Sequence, residues 1–164
     1  QELNISVQKI KSLVLGGHGD SMVAMQGHTT IDGKKLNTLI EEGVITKKKL
    51  EEIVDRTKKG GAEIVKNLGN GSAFYAPAAS GVEMAESYLK DLKKELPCAV
   101  HINGQYGVKD IYAGVPVIIG KNGVEKIIEL KLNSEEENNF KKSIKAVQEL
   151  YEAAQKIDPV LWSK

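Results

Sequence analysis

His18 is the side chain in this sequence best suited to chemistry, and it lies within the glycine-rich stretch VLGGHGDSM at 14–22. Glycines on both sides leave no neighbouring side chains and allow positive φ, so a small molecule could come close to the ring. An imidazole has a reference pKa of about 6.5 and therefore both accepts and releases protons near neutral pH. The pattern is typical of a proton-transfer residue. The alternative is a structural histidine in a turn, bonded to a nearby carbonyl.

Asp20 follows His18 by two residues, and its carboxylate has two uses in such a stretch. In an extended chain, side chains at i and i+2 point to one side, so Asp20 could orient and polarise the imidazole. Aspartate in a glycine-rich turn also accepts backbone N–H bonds, and this loop role is the favoured one. A third hypothesis combines these two residues with His28 in the metal site of a hydrolase. That spacing is unspecific, so we expect no bound metal.

The elements that must position His18 follow from hydrophobic spacing and turn residues. The apolar run Leu13–Leu15 predicts a buried strand that the next glycine stops. A capping signal at Asn4 or Ser6 and a short helical turn precede this strand. Extended structure is expected after the histidine stretch, as far as Asp32-Gly33, a dipeptide that favours a tight hairpin turn.

Helices are predicted in the next part of the chain. A short helix should end at Gly43, and Thr46 is the expected N-cap of a longer helical pattern that Gly60-Gly61 interrupts. After a glycine-rich loop, a helix rich in small residues is expected near Ala78, with apolar positions as far as residue 92. Pro77 is tolerated in the first turn of that helix, where its missing N–H would have no intrahelical partner.

The remaining sequence predicts strands followed by one long helix. The strand candidates are CAVHI, IYAGVPVIIG and VEKIIELKL, and GKNG joins the last two as a hairpin turn. Ser134 is the expected N-cap, with an acidic first turn, of an amphipathic helix that continues to about Ile157. Strands and helices occur in runs and not in strict alternation. This order predicts an α+β fold with a twisted antiparallel sheet and packed helices.

Composition places the chain among ordinary globular domains. It has 164 residues, 41% hydrophobic and 27% charged, with a formal net charge of +1. The balanced charge argues against a nucleic-acid surface, and the lysine groups at 45–52 and 88–95 are expected on solvated helix faces. No stretch suggests a membrane span or a secretory leader. Cys98 cannot pair within the chain and is expected to be a buried small hydrophobe, so a cytoplasmic location is the expectation.

Several motifs together resemble one known family. They are VLGGHGDSMV, GAEIVKNLGNGSAFYAPAA, MAESYLKD, LPCAV and NGQYGVKDIYAGVPVIIG, in this order along the chain. They look like the carboxy-terminal half of the lactate/malate dehydrogenase family, and specifically of its lactate-dehydrogenase-like malate dehydrogenases. The similarity covers roughly residues 1 to 158, and several independent motifs make it far more specific than the histidine stretch alone.

The resemblance implies a reversible hydride transfer with His18 as the proton carrier. The hydroxyl of (S)-malate would lose its proton to neutral His18 while the carbinol hydride passes to the nicotinamide of NAD, giving oxaloacetate. By the same resemblance, Gly17, Ser72 and Ala73 would contact the substrate, and Pro77 would lie near the nicotinamide. NGQYG (103–107) is interpreted as a strand end and turn that shape the sheet.

Where the sequence departs from the family, the resemblance implies a substrate domain over 1–164 without its amino-terminal partner. No G-x-G-x-x-G follows an amino-terminal strand, so we expect NAD to be bound mainly by a Rossmann domain absent from this chain. An Asp-x-x-Arg pair that the family places upstream of the histidine is also absent. We therefore expect the chain alone to be inactive. In the complete protein it would contact its own Rossmann domain and form a homodimer or homotetramer, with no nucleic acid and no membrane as partners.

Two alternatives remain at this stage. The first is the corresponding domain of an L-lactate dehydrogenase; Gly17 before the histidine and the motif GSAFYAPA favour malate. The second is a non-catalytic module that keeps the fold for oligomerisation, with the helix at 134–157 or the one at 46–68 packing against another subunit.

Overall fold

A computed structural model of the protein describes residues 2–162, with side-chain environments given as far as residue 160. Five α-helices and eight strands are present in this range, and every strand pair is antiparallel. The strands are β1 (Ile10–Lys11), β2 (Val14–Gly16), β3 (Met22–Ala24), β4 (Thr30–Ile31), β5 (Lys34–Lys35), β6 (Lys94–Asn103), β7 (Lys109–Gly120) and β8 (Gly123–Ile127). The α-helices are α1 (Leu36–Glu41), α2 (Lys47–Lys58), α3 (Gly60–Leu68), α4 (Tyr75–Leu89) and α5 (Ser134–Ile157). The predicted α+β class is confirmed.

The strands form two sheets. A small sheet has the order β1-β4-β5, and the main sheet has the order β3-β2-β7-β6 with β8 also paired to β7. The longest strand pairing of the main sheet is the β6–β7 hairpin, in which β6 pairs with β7 over almost its whole length. The strand β2 joins β7 at a single position, where Gly16 lies opposite Gly114. The chain leaves β2 two residues before His18, so the main sheet determines where the histidine stretch begins.

The main core lies between the five-stranded sheet and α5. Phe140 and Ile144 of α5, one turn apart, contribute to it, as their i,i+4 spacing on an amphipathic helix requires. Its buried members are Leu15, Val23, Met25, Cys98, Val100, Ile102, Ala113, Val115, Val117, Ile119, Phe140 and Ile144. A second, smaller cluster under α1 and α2 consists of Ile31, Leu36, Leu39, Ile45 and Leu50. Cys98 is buried, as predicted.

The predicted turns are present. Asp32 (φ 49°) and Gly33 (φ 82°) connect β4 to β5, the pair of positive φ values that a two-residue hairpin turn needs. Gly120 pairs with Gly123 in the β7–β8 hairpin. Gly43 ends α1 with φ 73°, and the Thr46 hydroxyl accepts from the Lys49 amide at the start of α2. No helix within residues 2–162 is long and apolar enough to cross a membrane.

Several predicted boundaries were wrong. The strand at 13–15 lies one residue later, because Gly16 itself pairs with β3 and β7. Asn133, and not Ser134, is the N-cap of α5. Its side chain accepts from the amides of 135 and 136, and the Glu136 carboxylate accepts from the Asn133 backbone amide. The last predicted strand ends at residue 127, well before the end of VEKIIELKL.

The helix predictions at 46–68 and near 78–92 differ from the structure in their boundaries. The interruption expected at Gly60-Gly61 is present one residue earlier, where α2 and α3 meet at Lys59, and both glycines lie within α3. The second begins earlier, at Tyr75, and ends at Leu89, because Asp91 and Lys93 have positive φ values of 49° and 52°. Six of the eight residues in the lysine-rich segment 88–95, including all three of its lysines, therefore lie outside the helix. Of the two capping signals near the start, Ser6 is the residue whose hydroxyl accepts a backbone amide.

Candidate active site

His18 lies between β2 and a 3-10 turn formed by Gly19–Ser21. Its backbone is extended (φ −104°, ψ 153°) and its side chain is exposed. Among the described residues, no hydrogen bond or ion pair engages its ring, so the structural alternative of an imidazole bonded to a nearby carbonyl is not what the structure has. The imidazole is open to solvent and free to meet a ligand.

The backbone around His18 is held from two sides. The Gly17 amide donates to the Ser143 hydroxyl of α5 at 2.8 Å, and the Ser21 hydroxyl donates to the His18 carbonyl at 3.1 Å. A Cβ on Gly16 would overlap Ser143, and a Cβ on Gly17 would overlap Ser21. The glycines therefore have a packing reason besides access to the ring. They let the chain pass directly against α5 and its own turn.

Asp20 makes neither of the interactions expected of it. Within the described chain, its exposed carboxylate has no hydrogen bond to His18 and none to a backbone N–H. The turn closes through its own backbone, because the Met22 amide donates to the Gly19 carbonyl, and the aspartate side chain takes no part in that closure. The carbonyl of Asp20 accepts from the Lys58 ammonium of α2 at 3.3 Å.

The third hypothesis for this stretch, a metal site, is not assembled. The Nε2 atom of His28 lies 3.1 Å from the Lys131 carbonyl, whereas the His18 ring has no hydrogen bond among the described residues. Over residues 2–162, no group of three or more histidine, cysteine, aspartate or glutamate side chains is arranged to hold a metal ion.

Ser72, Ala73 and Pro77, the other residues implied by resemblance, lie on the α3–α4 loop and the first turn of α4. Gly69 (φ 76°) and Gly71 (φ 88°) reverse the chain after α3 and carry it to this loop. Ser72 is exposed, its carbonyl accepts from the Phe74 amide at 2.9 Å, and its hydroxyl has no partner among the described residues. Pro77 is the third residue of α4 and is exposed. No described hydrogen bond or ring contact joins this loop to the histidine stretch.

The helices on either side of this loop present an apolar surface without a covering partner in the described chain. In α4 only Ser87 is buried, while Tyr75, Val82 and Leu89 are 76%, 68% and 78% exposed. In α3 no residue is buried, although Ile64 and Leu68 are large and apolar. A further cavity of about 690 Å³, lined mostly by apolar side chains, extends from the small sheet to α3. Exposed large apolar side chains in these helices are the kind of surface found at contact faces.

A sequence profile described as "lactate/malate dehydrogenase, alpha/beta C-terminal domain" matches residues 1–157. This chain belongs to that family. The fold expected of the domain, an antiparallel sheet with packed helices, is the one observed.

Individual relatives agree with the family assignment. The domain is 61% identical over 160 residues to the malate dehydrogenase of Pelagibacter ubique (strain HTCC1062), covering 98% of this chain and 50% of that protein. The crystal structure of Cryptosporidium parvum malate dehydrogenase superposes with a TM-score of 0.91 at 42% identity, covering 94% of this chain and 49% of that one. The crystal structure of lactate dehydrogenase from Eimeria maxima with NADH and oxamate superposes with a TM-score of 0.92 at 42% identity, covering 97% of this chain and 50% of that one. The chain thus spans about half the length of these relatives.

Sequence reasoning missed Ser143 as part of the site. The signal was available, because a serine between Phe140 and Ile144 lies on the buried face of the amphipathic helix α5, where polar residues need a partner. NGQYG is structural, as interpreted. In it the Tyr106 hydroxyl donates to the Ile128 carbonyl at 2.8 Å, and the Tyr106 ring packs 5.1 Å from Phe140. This motif therefore supports α5, and through it the histidine stretch.

Proposed function

We propose that this domain is the substrate half of an NAD-dependent malate dehydrogenase, which interconverts (S)-malate and oxaloacetate with His18 as proton acceptor and donor. The observation that carries the proposal is an exposed imidazole without a protein partner, held at a strand end by two backbone contacts. The 61% identity to a malate dehydrogenase supports the choice of substrate. That relative is about twice as long as this chain, so the proposed complete enzyme contains about as many further residues as this chain has.

In the proposed mechanism, His18 moves one proton. Neutral imidazole accepts the proton of the malate hydroxyl as the carbinol carbon is oxidised, and imidazolium returns it when oxaloacetate is reduced. NAD, when bound, accepts or supplies the hydride. Because no described side chain bonds the ring, the substrate hydroxyl is free to become its hydrogen-bond partner. The fixed position of the Gly17 backbone keeps the ring at the end of β2 while this exchange occurs.

Ser72, Ala73 and Pro77 are the proposed second wall of the pocket. The unpartnered Ser72 hydroxyl is suited to donate to a substrate carboxylate, and the small Ala73 side chain leaves room beside it. Pro77, exposed at the start of α4, offers an apolar surface to the nicotinamide ring. The chain has no G-x-G-x-x-G turn, so the residues present fit only this end of NAD. Binding of the dinucleotide phosphates is assigned to a separate Rossmann domain.

The apolar surface of α3 and α4 supports two further parts of the proposal. A cofactor domain and a second subunit both need apolar faces on this chain, and α4, α3 and the 690 Å³ cavity offer them. We infer a homodimer or homotetramer from this surface. The 164-residue chain alone should show no NAD-dependent oxidation of malate. Measurable turnover by it would contradict the proposal that a separate Rossmann domain is needed to bind NAD.

The decisive experiment replaces His18 in the complete enzyme. His18→Asn should lower kcat by about 10²–10⁴-fold, the usual contribution of a general acid–base residue. NADH affinity, followed by fluorescence titration, should remain unchanged. His101→Asn is the matched control, because His101 is also exposed but pairs with Asp110 at 3.0 Å on the β6–β7 hairpin. Turnover by the His18 variant close to that of the control would end the proposal.

A lactate dehydrogenase is the second candidate, because the Eimeria maxima enzyme superposes on this chain as well as the malate dehydrogenases do. The two candidates share the proton carrier and differ in the substrate side chain. Comparison of kcat/KM for oxaloacetate and pyruvate in the complete enzyme separates them. A preference for pyruvate would replace malate by lactate and leave the role of His18 intact.

A further inference from the structure

We propose that Ser143 is the positioning residue for the proton carrier, with its buried hydroxyl fixing the backbone from which the His18 side chain projects. This inference rests on the proposed function, in which His18 moves the proton. Ser143 lies on α5 and is 3% exposed. It is 126 residues from Gly17 in the sequence, and it does not contact the reacting atoms in this proposal.

The contact is direct. The Gly17 amide donates to the Ser143 hydroxyl oxygen at 2.8 Å, and Gly17 is the residue immediately before His18. No other acceptor for this amide is found in the described chain. A fully buried N–H without an acceptor costs about 1–3 kcal/mol; because this bond is partly buried, the hydroxyl stabilises one particular path of the backbone by up to that amount.

Gly16 makes this close approach possible. Its φ is +86°, and a Cβ there would meet the Cβ of Ser143 at 2.8 Å and overlap the hydroxyl. The same residue pairs with Met22 of β3 and with Gly114 of β7. The backbone before His18 is therefore confined by a strand on each side and by Ser143 from the helix. Such a restricted backbone is expected if the His18 imidazole has to be held in a fixed position.

The helix that carries Ser143 is itself anchored. Buried Glu136 accepts from the Gly27 amide at 3.0 Å and from the Asn133 amide at 3.1 Å, which ties the start of α5 to the segment after β3. Phe140 is 2% exposed and packs against Tyr106. Through its hydrogen bond with Gly17, Ser143 thus connects the histidine stretch to a helix that is fixed in the core. The tie on the other side, from Ser21 to the His18 carbonyl, stays within the stretch itself.

Loss of the hydroxyl should therefore act on catalysis through His18. Without Ser143 as acceptor, the Gly17 amide must turn toward solvent, and the imidazole moves with it. A displacement of about 1 Å of a catalytic group costs up to about 10²-fold in rate. We expect Ser143→Ala in the complete enzyme to lower kcat/KM by about tenfold, with NADH affinity unchanged.

Ser87→Ala is the matched control. Ser87 is also a buried helical serine: its hydroxyl donates to the Ile119 carbonyl at 2.7 Å and accepts from the Lys94 amide at 3.2 Å, near the end of α4. Its removal should lower the thermal midpoint and leave kcat/KM within about twofold. Ser143→Cys keeps a weaker acceptor and should fall between serine and alanine, which gives a second variant if the alanine form does not fold.

The double variant gives the readout that a purely structural role would not produce. In a His18→Asn background, Ser143→Ala should lower the residual kcat/KM by less than about twofold, because a positioning residue has no effect once the group it positions is gone. Amide exchange at Gly17 in the complete enzyme should also accelerate in Ser143→Ala. Undiminished kcat/KM in Ser143→Ala, or a further tenfold loss in the double variant, would overturn the inference. Full turnover in His18→Asn alone would instead overturn the proposed function.

Discussion

Gly16→Ala is the substitution for which the structure makes the sharpest prediction. Gly16 is buried in β2 with φ +86°, and the added methyl group would lie on the Ser143 hydroxyl. The change therefore imposes two separate penalties. The backbone must keep a left-handed conformation that a Cβ disfavours, and the contact with Ser143 must be rebuilt.

The magnitude follows from these two terms. A left-handed conformation at a residue with a Cβ costs about 1–2 kcal/mol. The side-chain overlap is relieved either by strain in the core, at about 1–3 kcal/mol, or by moving Ser143 away and leaving the Gly17 amide unpaired, at a similar cost. We expect Gly16→Ala to lower the free energy of unfolding of the chain by about 2–5 kcal/mol, which is a large part of the stability of an ordinary domain.

Equilibrium unfolding in urea measures this free energy, and Gly33→Ala is the control. Gly33 has nearly the same φ, +82°, but no atom lies within 4 Å of a Cβ built on it. The control should lose only the conformational term of about 1–2 kcal/mol. Equal destabilisation by the two substitutions would show that the Ser143 contact contributes nothing, and the account of this strand end would be wrong.

Three further outcomes are expected from the same chain. Tyr106→Phe removes a hydroxyl with two backbone partners and should cost about 1–3 kcal/mol in unfolding free energy. Burial raises the pKa of Tyr106, so as pH rises the phenol ionises in the unfolded chain before it does in the folded one. The free energy of unfolding of the unsubstituted chain should therefore fall as pH rises above about 10, and it should fall less in the Phe variant. Asn133→Ala should cost about 1 kcal/mol in thermal unfolding, while Ser134→Ala should stay within about 0.5 kcal/mol. Burial also raises the pKa of the Cys98 thiol, so iodoacetamide should alkylate it slowly in the folded chain and fully in urea; fast native labelling would contradict its place in the core.

Turns and helix starts were predictable because they depend on residues close together in the chain. Asp32-Gly33 forms the hairpin turn, and Thr46 caps α2, each for a reason visible within four residues. Where two capping residues adjoin, local chemistry did not discriminate: Ser134 was expected, and Asn133 is the cap because its side chain reaches two amides while Glu136 completes the box. The end of α4 was placed too late, since continued apolar spacing hid the positive φ at Asp91.

The chain of amino acids alone was enough to identify His18 as the reactive candidate and to indicate an antiparallel α+β domain, because residue type, glycine placement and periodicity are local properties. The loop role favoured for Asp20 was wrong, because folding leaves its carboxylate toward solvent, without a backbone N–H bond in the described part of the chain. Only packing revealed why Gly16 is a glycine, since a Cβ there would overlap Ser143, whose hydroxyl also accepts from the Gly17 amide 126 residues away in the sequence. A hydrogen bond between such distant segments depends on how sheet and helix meet in space, and no pattern of neighbouring residues encodes that meeting.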